Sequence, residues 1–128
     1  MKLITIFLIT IVSYADIALV ATPSCRFDSI DEQSIKKLFM KKTTQYKGEP
    51  IKVYDNRELY NDFLQSFIHK SPTKMNIYWT RMIFTGTKKP PKKVTGNQLR
   101  SLLKEQNTCR LSYTAQPIEG WKEVHVYR

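Results

Sequence analysis

The chain has 128 residues, room for one domain, with 21 Lys and Arg against 11 Asp and Glu and a formal charge of +10. Such a balance excludes an acidic or charge-neutral surface and favours encounter with anions such as phosphate, nucleic acid, lipid head groups or envelope polymers, and it says nothing of fold. Two cysteines exclude a disulfide-dense scaffold.

The N-terminus begins Met1-Lys2-Leu3-Ile4 and continues as an apolar run to Ser13-Tyr14-Ala15. A lysine, an apolar stretch and small residues at −3 and −1 are the layout of a signal peptide cleaved after Ala15. The competing reading is a membrane anchor, because apolar character resumes through Ala21. Asp16 interrupts that run, however, and no basic stop follows, which favours cleavage. The expected mature domain is 16–128, with 20 basic and 11 acidic side chains and a charge of +9.

Asp16 to Thr22, ending at Pro23, reads as a buried strand. Ser29-Ile30-Asp31-Glu32 has the form of a capping box, predicting a helix from about Ile30 to Met40 with Ile35, Leu38 and Phe39 inward. Lys47-Gly48-Glu49-Pro50 reads as a turn and Ile51 to Tyr54 as a strand. Asp55 or Asn56 is placed to cap a helix burying Leu59, Tyr60, Phe63, Leu64 and Phe67. Ser71-Pro72 starts the next helix, with proline at its first position. Met75, Tyr78, Trp79, Met82 and Ile83 form its apolar stripe, and Gly86 ends it. This spacing assigns the aromatics to the core and not to a base-stacking surface.

Pro90-Pro91 then predicts an extended connector whose lysines are a solvated rim. Thr95 is placed to cap a helix burying Leu99, Leu102 and Leu103. Strands follow at Arg110 to Thr114 and Val124 to Tyr127, with a turn at Gly120. The order predicts a three-layer α/β domain with a mixed, partly parallel sheet and helices on both faces.

In an exported chain, Cys25 and Cys109 are expected to form one disulfide. A lipid on Cys25 is disfavoured because Thr22-Pro23-Ser24 lacks the leucine and small residues of an attachment site. Two thiols without a nearby histidine make a poor zinc site, so no metal or cofactor is expected.

Asp16 to Ser24, Ile35 to Phe39, and above all Tyr78-Trp79-Thr80-Arg81-Met82-Ile83-Phe84-Thr85-Gly86 with trailing Pro90-Pro91 resemble a known family. They look like the short, single-domain relatives of phosphate ABC-transporter substrate-binding proteins. The resemblance covers nearly all of Asp16 to Arg128 and is most specific at Trp79, Arg81, Phe84 and Gly86. It implies a single lobe of the periplasmic-binding type, exported to the periplasm and not enzymatic. It also implies an anion site, with Arg57 matching the family's arginine and Thr22 and Ser24 supplying candidate hydroxyls. The sequence departs from the family at Phe39-Met40-Lys41-Lys42 and at Cys109-Arg110-Leu111-Ser112-Tyr113, where the family's glycines are missing. The cysteine standing in place of a glycine at 109 fits a crosslink to Cys25. The hydroxyl-and-glycine loop beyond the second strand is also replaced, by Asp55-Asn56-Arg57-Glu58. For Arg57 the plain alternative is a salt bridge with Glu58 or Asp62, for Arg81 a structural contact with a carboxylate or with carbonyls at a helix end, and for Thr22 and Ser24 a turn or helix-entry hydroxyl.

Two further functions stand beside a phosphate or solute receptor. One is an interaction protein that has lost ligand binding and docks on an envelope partner. The other is a small basic nuclease using His69 or His125 with Glu58, although nothing in the spacing of the histidines brings them together. Nucleic acid is not expected as the physiological partner.

Overall fold

A computed structural model describes residues 17–105 and 107–126. The expected leader, 1–15, lies outside them, as does Tyr127 of the last expected strand. No helix among the described residues is long and apolar enough to cross a membrane.

The elements run β1 (Ala18–Ala21), α1 (Glu32–Phe39), β2 (Gln45–Tyr46), β3 (Glu49–Asn56), α2 (Tyr60–Phe63) continuing into a π-helical turn (Leu64–Ile68), α3 (Pro72–Phe84), β4 (Lys92–Val94), α4 (Gly96–Leu102), β5 (Cys109–Thr114) and β6 (Lys122–Val126). They build a mixed sheet of order β2-β3-β5-β1-β6, with β4 also paired to β3. The β3–β5 and β3–β4 pairs are parallel, and β1 is antiparallel to both β5 and β6.

Strand alternation sorts the side chains into two cores. Leu19, Ala21, Ile51, Val53, Leu111 and Tyr113 face one side, where α1, α2, the π-helical turn and α3 cover them. Val20 faces the other, against Val94, Leu99 of α4 and Trp121. Helical layers therefore lie on both faces of a partly parallel sheet, as the element order predicts.

Local chemistry explains where the boundaries move. Helix α1 starts at Glu32 because Asp31, not Ser29, is its cap: the Asp31 carboxylate accepts from the Ser34 amide at 3.0 Å and the Ser34 hydroxyl at 2.6 Å. The Ser34 hydroxyl is the main cause of that carboxyl lying below its usual pKa. An Asp cap accepts through two oxygens at once, which a serine cannot. Lys47 and Gly48 both have positive φ, 49° and 81°, and close a tight hairpin between β2 and β3. The capping residues Ser71 and Thr95 start α3 and α4 as the sequence implies, Thr95 with a reciprocal bond to Gln98.

The disulfide joins Cys25 to Cys109 across 84 residues of sequence, tying the loop after β1 to the start of β5. In the chain-entropy account, closing a loop of that length contributes about 4.5 kcal/mol.

Three expectations need correction. The segment 87–93 is not all connector, since Lys92 and Lys93 lie in a parallel strand opposite Tyr54 and Asp55. Pro90-Pro91 delivers the chain into that strand. Ile83 is exposed rather than core, and so is the aromatic Phe84. Leu102 and Leu103 are half-buried, because α4 is short and ends beside the 118–121 turn.

Candidate functional site

Helix α3 presents three faces, each set by 3–4 spacing. Met75, Tyr78, Trp79 and Met82 pack on the core, Met75 and Trp79 fully. Thr73, Asn76, Thr80 and Ile83 line an open groove of about 900 Å³. Lys74, Ile77, Arg81 and Phe84 point outward and are exposed.

The groove lies between α3, the start of α2, and the ends of β3 and β4. Arg57, Lys92 and Lys93 put three cationic side chains on it. At its base sits Asp55, only 4% exposed. The parallel register sets Asp55 directly opposite Lys93. The Lys93 ammonium lies 4.0 Å from the centroid of the Tyr60 ring, a cation–π contact. The Tyr113 hydroxyl donates to Asp55 Oδ1 at 3.0 Å. Burial dominates the electrostatics and pushes the Asp55 carboxyl up to about 7, while the Tyr113 bond and the charges of Lys93 and Lys41 pull the other way. Near neutral pH this group is therefore split between its neutral and ionised forms. Burial also raises the Tyr60 and Tyr113 phenols, with the nearby Asp55 charge adding to both.

Asp55 is the main feature that sequence reasoning missed. As a loop residue before a helix it looks like a cap. The structure gives that task to neither Asp55 nor Asn56: Leu59 stands at the cap position of α2 without a side-chain bond, and Asn56 forms a turn before the helix, its Oδ1 accepting from the Glu58 and Leu59 amides while its side-chain amide donates to the Tyr113 carbonyl. The usable signal was alternation: Ile51, Val53 and Asp55 share one strand face, so extending β3 by two residues buries the carboxylate.

The residues proposed for anion binding are not gathered in one place. Arg57 is exposed on the groove, and its amide donates to the Val94 carbonyl. Thr22 and Ser24 lie at the opposite end of the sheet. The Thr22 amide bonds to the Arg110 carbonyl, and Arg110 pairs with Lys52. Arg57 follows directly on the end of β3, five residues beyond Lys52 and about 16 Å away at strand rise. The antiparallel course of β1 produces this separation. The two hydroxyls are also engaged: Ser24 Oγ donates to the Thr108 carbonyl at 2.9 Å, and Thr22 Oγ1 accepts from the Arg110 amide at 3.0 Å. With Leu103, Glu105 and Gly120 they border a second hollow of about 400 Å³.

The motif residues divide by role. Trp79 is core, its ring edge-on to Tyr78, and Gly86, at φ 69°, closes α3. Arg81 and Phe84 are exposed, Phe84 at 87%. Neither Arg57 nor Arg81 forms an ion pair among the described residues. The buried cation is instead Arg110, 2% exposed, bonded to the Glu105 carbonyl and carboxylate.

Both histidines dock on the same short segment, which their spacing did not signal. His125 Nδ1 lies 3.0 Å from the Ile30 carbonyl, and His69 Nε2 lies 3.2 Å from the Glu32 carboxylate. The carboxylate beside His69 is thus Glu32, not Glu58. No group of three or more metal-ligating side chains occurs among the described residues.

Comparison with protein-family models and with curated proteins gives no match. The functional reading accordingly rests on the groove and the sequence.

Proposed function

We propose that the protein is an exported, periplasmic, non-enzymatic lobe of the phosphate-receptor type, and that the groove over Asp55 takes phosphate or a similar small oxyanion. The observation that carries this reading is the composition of the groove. Arg57, Lys92 and Lys93 border a carboxyl that burial holds near pH 7. In its neutral form Asp55 cancels none of their charge, and its hydroxyl is a donor for an oxyanion. Asn61, Asn76, Thr73 and Thr80 add neutral polar groups around the same space. The apolar N-terminal run with its Ser13-Tyr14-Ala15 boundary supports export, and the Cys25–Cys109 disulfide is in keeping with an oxidising compartment. In this reading Arg57 stays in the site, while Thr22 and Ser24 become structural hydroxyls beside the disulfide.

The test is calorimetric titration with phosphate, with sulfate as the control, at low and raised salt. Saturable, phosphate-selective heat that survives salt and weakens in Arg57→Ala supports a built site. Heat that vanishes with salt sinks the oxyanion reading, and salt-resistant heat that fails to separate phosphate from sulfate removes the phosphate-receptor type and leaves a general oxyanion site.

A second reading is a receptor-derived domain that has lost its ligand and docks on an envelope partner. The observation favouring it is the separation of Thr22 and Ser24 from Arg57, which leaves three groove cations without the expected hydroxyls.

A further inference from the structure

We propose that the outward face of α3, with the basic connector after it, docks on an anionic lipid bilayer. This inference is independent of what the groove binds.

The first observation is a segregation of charge. From Phe63 to Lys104, 42 residues, the chain has no Asp or Glu and nine of its 21 Lys and Arg side chains. The segment comprises the π-helical turn, α3, the connector, β4 and α4. An all-cationic stretch of this kind is complementary to a surface of phosphates and gains little from a neutral one.

The second observation is where the apolar groups stand. Phe84 is 87% exposed, Ile83 56% and Ile77 55%, and no other large hydrophobic side chains among the described residues are so exposed. All three lie on α3, two at its C-terminal end, where Thr85 and Gly86 turn the chain directly into Thr87-Lys88-Lys89. Along the outward face, Lys74, Ile77, Arg81 and Phe84 recur at spacings of 3, 4 and 3, so cations and apolar groups alternate along one stripe.

Their shape chooses among anionic partners. Ile77 and Phe84 stand on the outward edge of α3 and line neither the groove nor the second hollow, so that edge has no concave pocket to receive a protein partner's side chains. Ile77 and Ile83 have no planar face on which a base can stack. The boundary between head groups and acyl chains takes protruding rings and branched chains without matching their shape, while neighbouring lysines reach lipid phosphates. Apolar insertion and a basic patch are the two signals that stable peripheral binding needs.

The experiment uses residues 16–128, which contain every described strand, helix and core side chain. Flotation is measured with vesicles of phosphatidylglycerol and phosphatidylcholine, and with phosphatidylcholine alone, at 0.1 M salt. We expect partition to the anionic vesicles only, weakened at least about tenfold both by Ile77→Ser with Phe84→Ser and by Lys88→Glu with Lys89→Glu. Both variants should melt with the parent, because the apolar pair and Lys89 are exposed and Lys88 is half-buried. Phe84→Trp keeps the apolar group, so it should retain binding and show blue-shifted emission when anionic vesicles are added. No partition, equal partition to both vesicles, or partition lost only with the lysine pair would overturn the proposal. Binding to a duplex oligonucleotide that survives the same salt and depends on Phe84 would overturn it in favour of nucleic acid.

Discussion

Asp55 and Lys93 stand directly opposite each other on parallel strands, yet the lysine ammonium lies over the Tyr60 ring and the pair makes no salt bridge within 4 Å. The carboxylate is therefore buried with one side-chain hydrogen bond, from Tyr113, and a cation held at a distance. A buried charge with so little compensation takes a proton readily. The base of the groove is consequently a neutral-pH titration site.

That arrangement sets a pH dependence of stability. The Asp55 carboxyl titrates near 7 in the folded chain and near the ordinary aspartate value of 3.8 when unfolded. Between those values the folded chain keeps a proton that the unfolded chain releases, so this group's contribution falls as pH rises. The loss amounts to roughly 4 kcal/mol between about pH 4 and pH 7 and then levels off. Asp55→Asn keeps an acceptor for Tyr113 and removes the ionisation. The variant should gain on the parent progressively over that window and be the more stable protein at pH 8. Urea unfolding of both at pH 5, 6.5 and 8 checks it, and a difference constant across pH would show that Asp55 is not the titrating group.

How far the sequence discloses such features depends on how local their causes are. The caps at Ser71 and Thr95, the stop at Gly86 and the inward faces of α1 and α3 follow from neighbours within one turn of chain. The strand β4 was hidden because a three-residue Lys-Lys-Val strand carries no alternation of its own and exists only by pairing with β3. Direction was hidden too: no local signal states that β1 runs antiparallel to β5, and that single fact moves Thr22 and Ser24 away from Arg57. Asp55 combines both difficulties, since its burial depends on the length of β3 and on the helices that close over it. The disulfide was the one long-range contact within reach, because two cysteines allow a single pairing.

The disulfide carries its own expectation. Intact mass after alkylation without reductant should show no label on Cys25 or Cys109, and both labelled after reduction. Replacing the pair with alanines releases a loop spanning 84 residues of sequence, and the unfolding free energy should fall by about 2–5 kcal/mol. Two freely alkylated thiols in unreduced protein would remove the crosslink from the fold.

Two glycines with the same backbone requirement separate conformation from space. Gly48 has φ 81° with open space around it, and Gly120 has φ 89° with the Leu103 Cδ1 atom 2.5 Å from where a Cβ would stand. Gly48→Ala should cost about 1 kcal/mol, the left-handed penalty alone. Gly120→Ala adds displacement of a half-buried leucine that packs with Trp121 and Leu99, and should cost about 2–3 kcal/mol. Equal melting temperatures for the two variants would mean that Leu103 rotates aside freely.

Tyr113 offers the sharpest probe of the carboxyl beneath the groove. Its ring stacks on Phe63 at 3.9 Å between centroids, nearly parallel, while its hydroxyl donates to Asp55. Tyr113→Phe keeps the stack and deletes only the donor. The ionised carboxylate loses more than the neutral acid, because a charged acceptor makes the stronger bond. The deletion therefore pushes the Asp55 titration further upward, and the stability loss should be about 1 kcal/mol at pH 5 and about 2–3 kcal/mol at pH 8. In the Asp55→Asn background the extra loss at high pH should disappear, since no charge remains to be stranded. Unfolding of the single and double variants at both pH values measures the coupling directly. A loss independent of pH in both backgrounds would place the Tyr113 hydroxyl in a purely neutral hydrogen bond and leave Asp55 protonated throughout the range.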